Sequence, residues 1–475
     1  MSADVAVPLP VPVADPLRAA FQRLRDAFQA HSMPLAEERR RWLDALAHAL
    51  RERRETLTQA ISADFGNRAA DETLLAELIP SLHGLRYARR RLGRWMKPSR
   101  RRVGPMFQPA SARVVYQPLG VVGVIVPWNY PLFLAIGPLT GALAAGNRVM
   151  LKLSEATPHA SRALAELLAA TFPEDLVCVV QGDAEVGAAF SRLPFDHLLF
   201  TGSTEVGRHV MRAAADSLTP VTLELGGKSP AIVSADVPLA HAAERIAFGK
   251  CLNAGQTCVA PDYALVPRAR LDGFVAAYAD AVRRFYPGLA GNPDYTSVIN
   301  PRQAARLADY LADAEARGAR VLPLLPGDGE RRLPPTVLLE VNDEMRVMRE
   351  EIFGPLLPVV PYDHLDDAIA YVNRRPRPLA LYYFGYDRDG QEQVLARTHS
   401  GGACLNDTLL HVAQDDLPFG GIGPSGMGHY HGHEGFLTFS QAKAVFAKGR
   451  FNAARLIYPP YGRAIQSLVY RLFLR

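Results

Sequence analysis

Between Val149 and Leu218, apolar β-branched runs alternate with helical stretches, and this rhythm restricts the fold more than any other feature of the chain. VMLKLSE (Val149–Glu155) reads as a strand followed by a helical stretch from Pro158 to Ala170. LVCVVQG (Leu176–Gly182) and HLLFTGS (His197–Ser203) repeat the pattern, and the second leads into a helix from Glu205 to Leu218. Such alternation specifies parallel βαβ units in a doubly wound sheet, with ligands at the carboxyl ends of the strands. Upstream, Arg113 to Leu132 draws two strands punctuated by Gly120 and Gly123. Before them, Asp15 to about Trp95 is helical, with Leu43, Leu46, Leu50, Leu57 and Ile61 at helical spacings. After Thr219–Val233 the alternation restarts: helices near Val237–Asn253, Arg270–Tyr286 and Leu365–Asn373, and strand-forming runs in Thr336–Val341, Glu350–Tyr362 and Leu379–Tyr386. A second α/β unit is expected there, and Ser400–Gly435, rich in Gly, His and Pro, favours loops.

A chain of 475 residues exceeds what one core accommodates, and 48% hydrophobic with 21% charged residues is the balance of a globular protein. The net charge of +5 is modest for this length. Arginines coincide with Trp95 between Arg86 and Arg102, but an exposed helix face accounts for them, so nucleic acid is not expected as a partner. The four cysteines, Cys178, Cys251, Cys258 and Cys404, match neither zinc-ligand nor redox-pair spacing, which points to a reducing compartment, by default the cytoplasm. The N-terminal MSADVAVPLPVPVADP reads as a Pro-rich arm rather than a signal peptide, and no run of eighteen apolar residues occurs.

Chemistry concentrates around CLNAGQTCVAPDY (Cys251–Tyr263). Small and polar neighbours leave Cys258 approachable, and Pro261 stops a regular helix; a reactive thiolate and a buried apolar cysteine are both readings of it. In FTGSTEVGR (Phe200–Arg208), Gly202 and Gly207 bracket Ser203 and Thr204 where a strand passes into a helix, a turn suited to phosphate or simply a tight turn. Lys152 and Glu155 stand at the carboxyl end of another strand, able to meet a ribose or to pair on the surface. Glu224, between Leu223 and Leu225, is placed to have its carboxyl pKa raised toward general-base use, and partial burial fits equally. Asn129, in PWNYP, offers an amide to an oxyanion or serves as a turn residue.

FTGSTEVG, LELGGKSP with Glu224, GQTC with Cys258 thirty-four residues later, EEIFGP and PFGG follow one another in an order that resembles the aldehyde dehydrogenase superfamily, from roughly Arg113 to Phe446. GQTCVAPDY and PFGGIGPSGMGHYHG are similar to its class 3-like branch. NDTLLHVAQDDLPFGG and DETLLAELIPSLHGLRYARRRL look similar to bacterial coniferyl aldehyde dehydrogenases. The resemblance implies NAD(P)-dependent oxidation of an aldehyde, coniferyl or another aromatic or medium- to long-chain one, to its acid. Cys258 would be the nucleophile, Asn129 the oxyanion donor and Glu224 the base that activates water. Lys152, Glu155, Gly202, Ser203 and Gly207 would hold the adenosine and phosphates, and Glu351 and Phe353 the nicotinamide ribose. NAD is the expected cofactor, because Glu155 would repel a 2′-phosphate, with NADP as the second choice. Tyr130, Phe419 and His431 would flank the substrate. A thiol acyl-transferase or esterase using Cys258 is the competing class, and a broad fatty-aldehyde enzyme the nearer rival.

The resemblance divides the chain into a Rossmann-like NAD(P)-binding domain (1–98 and 119–224), a second α/β catalytic domain (225–425), oligomerisation strands (99–118 and 426–448) and a basic amphipathic tail (449–475). It implies a homodimer through Arg113–Gln117 and Phe436–Phe446. HYHGH invites a metal reading, but the resemblance accounts for Tyr430-His431-Gly432 without metal, so none is expected. In the tail, Ile465, Leu468, Val469 and Leu472 fall on one helical face beside Arg463, Arg471 and Arg475. Docking on protein and lying on a membrane surface are both open to such a helix.

Overall fold

The computed structural model describes residues 15–474 and builds them around three sheets whose strands are numbered in chain order. The first runs β15 (Gly426–Met427), β7 (Val221–Glu224), β6 (His197–Thr201), β3 (Val121–Ile125), β4 (Arg148–Lys152) and β5 (Val177–Val180). All neighbours in it are parallel except the β15–β7 pair. The second runs β10 (Arg320–Pro323), β11 (Thr336–Leu339), β12 (Leu356–Tyr362), β9 (Tyr263–Pro267), β8 (Pro230–Val233), β13 (Ala380–Phe384) and β14 (Gly402–Leu405), with only β10 antiparallel. The third is antiparallel: β1 (Ser99–Arg101), β2 (Ala110–Pro118) and β16 (Ser440–Lys448). The fold is therefore the α/β architecture the alternation specifies, a doubly wound Rossmann-like sheet, a second α/β sheet and a small β element.

β4 and β6, fully buried, and β3, buried but for its last residue, are near-continuous apolar runs, as parallel strands covered on both faces must be. The helix Phe133–Ala145 is apolar on every side and buried almost throughout, because it lies between the sheet and the helices Ala36–Glu52, Ile79–Trp95 and Gly432–Thr438. Its carboxyl end receives the buried Arg39, whose guanidinium donates to the carbonyls of Ala144 (3.0 Å) and Ala145 (2.7 Å), pairing a cation with the negative end of the helix. Arg39 belongs to the helical N-terminal layer, which is thereby locked onto the sheet.

Two stretches differ from the reading of the sequence. Residues 426–448, read as one segment, are divided among three places in the fold. Gly426 and Met427 pair with Glu224 and Leu223 on the first sheet, the helix Gly432–Thr438 packs on the helical layer, and only β16 joins the small sheet. Within Ser400–Gly435, the run Gly402–Leu405 is a strand that completes the second sheet beside β13, where pairing overrides a loop-like composition.

Candidate active site

Because β3, β4, β6 and β7 are parallel neighbours, their carboxyl ends share one edge of the sheet. Asn129 follows β3, Lys152 ends β4, Gly202 and Ser203 follow β6, and Glu224 ends β7. Residues scattered in sequence from Asn129 to Glu224 are thus gathered by topology alone.

At the β6 end, Ser203 is the N-cap of the helix Thr204–Ala215, its hydroxyl accepting from the Val206 N–H at 3.4 Å. Gly202 donates its N–H to the Glu224 carbonyl at 3.0 Å, which ties this turn to β7. Gly207 is buried, and a Cβ there would lie 2.7 Å from Leu225 Cδ2, so the glycine also lets the helix approach the chain just beyond β7. Farther along the same sheet edge, at the end of β4, the Lys152 ammonium meets Glu155 at 3.0 Å, with the lysine buried and the carboxylate half exposed. Glu351 lies against Gly226, where a Cβ would collide with its carboxylate, and the backbone N–H of Gly227 bonds to it. Burial, then Asp262, push the Glu351 carboxyl up to about 8. Phe353 adopts a left-handed backbone (φ 48°), and its ring meets Trp128 edge-on at 5.3 Å. A capped helix start, a lysine–glutamate pair at a strand end and a carboxylate seated in a glycine cradle fit a dinucleotide with ribose hydroxyls to bond.

Cys258 sits in the loop between the turn Leu252–Gly255 and β9. Asn253 and Ala254 are both in the left-handed region (φ 53° and 50°), and Gly255 (φ 74°) continues it where a Cβ would strike the Gly354 carbonyl. This coil packs the thiol's loop on the segment carrying Glu351 and Phe353. Burial, then the carboxylates of Glu351 and Glu224, push the Cys258 thiol up to about 12, so the unliganded protein holds it protonated at neutral pH. Glu224 is buried, neither carboxylate oxygen has a hydrogen-bond partner, and desolvation raises its pKa well above 4.5. A carboxyl with both oxygens free is equipped to take a proton from water once deprotonated.

Asn129 reaches the nucleophile's loop directly: its amide Nδ2 donates to the Gln256 carbonyl at 3.2 Å, leaving the second amide hydrogen for an oxyanion. Tyr130 bonds through its hydroxyl to Thr257 at 2.7 Å and is buried, so it braces the nucleophile loop. Phe419 and His431 do come together, with ring centroids 5.8 Å apart, and both rings touch Tyr430. His431 is buried and held neutral, its pKa lowered to about 4 by desolvation. Its neighbour His433 instead stacks on Phe436.

Several residues of this site escape the sequence reading. Arg68 is wholly buried between Glu72 (3.5 Å) and Glu77 (3.0 Å) and donates to the Asn129 carbonyl at 3.2 Å. Glu77 in turn accepts the N–H groups of Leu132 (2.8 Å) and Phe133 (3.0 Å), and the Asn253 amide donates to the Asn129 carbonyl at 3.0 Å. Gln256 closes the loop by accepting from the Ile299 N–H at 2.9 Å and donating to the Asn253 carbonyl at 2.9 Å. Lys250 is buried behind the same loop, its ammonium pushed down to about 8 by burial. The signal for the acidic pair was DETLLAEL, but Glu72 and Glu77 are five residues apart and diverge on a regular α-helix. A π-helical turn over Leu74–Leu78 brings both carboxylates to Arg68.

The sequence matches the model of the aldehyde dehydrogenase family over residues 9–445. A Pseudomonas aeruginosa protein named as a probable coniferyl aldehyde dehydrogenase is 68% identical over 459 residues, covering 97% of this chain and 96% of that one. A coniferyl aldehyde dehydrogenase of a Pseudomonas species is 51% identical, covering 96% of each. Among solved structures, the substrate-bound state of Staphylococcus aureus AldH superposes with a TM-score of 0.91 at 36% identity, covering 96% of this chain and 99% of that one. The Mycobacterium tuberculosis aldehyde dehydrogenase in complex with NAD+ gives a TM-score of 0.84 at 33% identity, over 94% and 92% of the two chains.

Proposed function

The chain belongs to the aldehyde dehydrogenase family, and from that premise we propose that it oxidises coniferyl aldehyde or a closely related aromatic aldehyde to the acid, with NAD as cofactor. The observation that carries the reading is the convergence of Cys258, Glu224 and Asn129 around one loop, with the Lys152–Glu155 pair and the Ser203 turn along the same sheet edge.

Cys258 attacks the aldehyde carbon once its thiol is deprotonated, and the free hydrogen of the Asn129 amide stabilises the oxyanion of the resulting thiohemiacetal. A nicotinamide held there would supply the two-electron acceptor needed for this adduct to become a thioester on Cys258. Glu224 then takes a proton from water, which attacks the thioester carbonyl and releases the acid and the free thiol. Lys152 and Glu155 would hold the adenosine ribose, Ser203 and Gly202 the phosphates, and Glu351 with Phe353 the second ribose. Phe419 and His431, beside Tyr430, would flank an aromatic ring. A homodimer through β2 and the Phe436–Phe446 stretch and a cytoplasmic setting belong to the same reading. The four cysteines are all free, and among the described residues no helix is long and apolar enough to cross a membrane.

A second reading is a broad enzyme of long apolar aldehydes. It is favoured by a Staphylococcus aureus relative, 39% identical, named 4,4'-diaponeurosporen-aldehyde dehydrogenase. Formation of reduced cofactor with coniferyl aldehyde, benzaldehyde and a series of n-alkanals, each with NAD+ and NADP+, decides between them. A strong preference for coniferyl aldehyde with NAD+ is expected, and equal kcat/KM on long alkanals would replace it with the broad reading. No reduced cofactor with any aldehyde would sink both.

A further inference from the structure

Between the helices Ile79–Trp95, Phe133–Ala145 and Gly432–Thr438 lies an internal cavity of about 30 Å³, room for a water-sized group but not for a ring. Glycines let its walls close in: a Cβ on Gly84 would lie 3.2 Å from Asp415 Oδ1, and one on Gly137 3.3 Å from the Tyr430 ring. Polar groups that line so buried a space are satisfied by one another or by a guest. Thr140 is satisfied, donating to the Ile136 carbonyl at 2.7 Å. Ser81 and His431 are not. Both line the cavity and are more than nine-tenths buried, yet the Ser81 hydroxyl and His431 Nδ1 have no hydrogen-bond partner among the described residues.

The imidazole is neutral and bonds to the Gln414 main chain, which leaves Nδ1 as its acceptor. Ser81 can turn its proton toward the cavity. Asp415 gives one carboxylate oxygen to His83 at 2.5 Å and turns the other toward Gly84. An acceptor, a donor and a carboxylate therefore surround a space the size of a hydroxyl group. Tyr430 joins this space to the chemistry: its hydroxyl feels the charges of Glu224 and Cys258, and its ring is 5.2 Å from that of His431. Both rings meet Phe419. An aldehyde carbonyl at Cys258 would thus send the far end of an aromatic ring past Phe419 toward His431.

Building on the aromatic-aldehyde reading above, we propose that the cavity receives the hydroxyl of an aldehyde carrying a phenol para to its side chain, with the phenol donating to His431 Nδ1 and accepting from the Ser81 hydroxyl. Coniferyl aldehyde carries such a hydroxyl, whereas benzaldehyde and the n-alkanals do not. A substrate ending in a methyl group leaves both buried groups unpaired, a source of selectivity that exceeds what a change in apolar contact provides. The Asp415 carboxylate favours a neutral hydroxyl over a phenolate at this place. Ser81 and His431 are thereby specificity-determining residues. A trapped water would satisfy the same two atoms, and substrate discrimination separates the two occupants.

The test compares kcat/KM for 4-hydroxycinnamaldehyde, 4-methoxycinnamaldehyde and cinnamaldehyde with NAD+ in the wild-type protein, Ser81→Ala and His431→Phe. Ratios within one preparation do not depend on the fraction folded. In the wild type the hydroxylated aldehyde is expected to exceed the unsubstituted one by roughly tenfold or more, and the methoxy compound, which has no proton for His431, to be the poorest. Each variant should cut the first ratio severalfold, chiefly through the KM of the hydroxylated aldehyde, whereas a merely structural loss would lower all three substrates alike. Equal kcat/KM for the hydroxylated and unsubstituted aldehydes in the wild type overturns the proposal, assigns the cavity to water and leaves aldehyde oxidation standing. Unaltered ratios in both variants overturn it too. No reduced cofactor with any of the three removes the function on which the proposal rests, and the proposal with it.

Discussion

The Arg68 guanidinium donates to the main-chain carbonyl of Asn129 at 3.2 Å, so a residue of the N-terminal helical layer holds the backbone from which the proposed oxyanion donor projects. The same guanidinium neutralises Glu77 at 3.0 Å, and Glu77 anchors the N–H groups that open the next helix. Arg68→Met leaves two buried carboxylates without their cation and is expected to destabilise the fold by roughly 3–5 kcal/mol in denaturant titration. Arg68→Lys keeps the charge but loses the planar fork. It should lower kcat well beyond any change in the KM for NAD, because what moves is Asn129 rather than the cofactor site.

Cys258 is expected to resist alkylation near neutrality. With its thiol pushed up to about 12, the thiolate fraction of the unliganded protein grows about tenfold per pH unit through the neutral and mildly alkaline range. Iodoacetamide labelling of the Cys258 peptide, followed by mass spectrometry, should rise steadily to pH 10 without a plateau. A plateau below pH 8 would show a thiol activated in the resting protein.

Glu224 couples chemistry to stability. The folded chain keeps its proton well above pH 4.5, where the unfolded chain has released it, so this residue makes stability fall as pH rises from 4.5 through its folded pKa. Glu224→Gln removes that loss. It should therefore melt higher than wild type at neutral and alkaline pH, with the gap closing toward pH 4. In rapid-mixing experiments the same variant should form about one equivalent of reduced cofactor and then stall as the Cys258 thioester.

The Lys152–Glu155 contact of 3.0 Å sets the expected cofactor preference. Glu155→Gln removes the negative charge and frees the lysine for a 2′-phosphate. Its kcat/KM with NADP+ should rise on the order of tenfold relative to NAD+, as the ratio of initial rates reports.

Gly207→Ala tests the packing role of that glycine. The added methyl would lie 2.7 Å from the Leu225 side chain, which must shift within a buried contact. A loss of about 1–3 kcal/mol in stability is expected. An unchanged melting curve with a raised KM for NAD would show that Gly207 serves the phosphate turn rather than packing.

Periodicity and composition suffice for the architecture, because parallel strands buried on both faces leave a signal of their own in β4, β5 and β6 and in the helices between them. The order of FTGSTEVG, Glu224 and Cys258 likewise lies in the linear chain, since each motif is a local turn or strand end. What only the tertiary structure decides is what depends on distant or irregular contacts. Sequence spacing sets Glu72 and Glu77 on diverging faces, and a π-helical turn turns both onto Arg68. The contact of Gly207 with Leu225 cannot be read from the motif FTGSTEVG. Gly426 and Met427 leave the segment of β16 because the edge of β7 offers them hydrogen bonds. The basic, apolar tail is legible as a helix, but how far its apolar face is covered depends on the rest of the fold, which half-buries Ile465 and Val469 and leaves Leu468 and Leu472 exposed. Local propensity and pattern are properties of a few neighbouring residues, whereas burial and pairing are settled by groups that meet only after the chain has closed on itself.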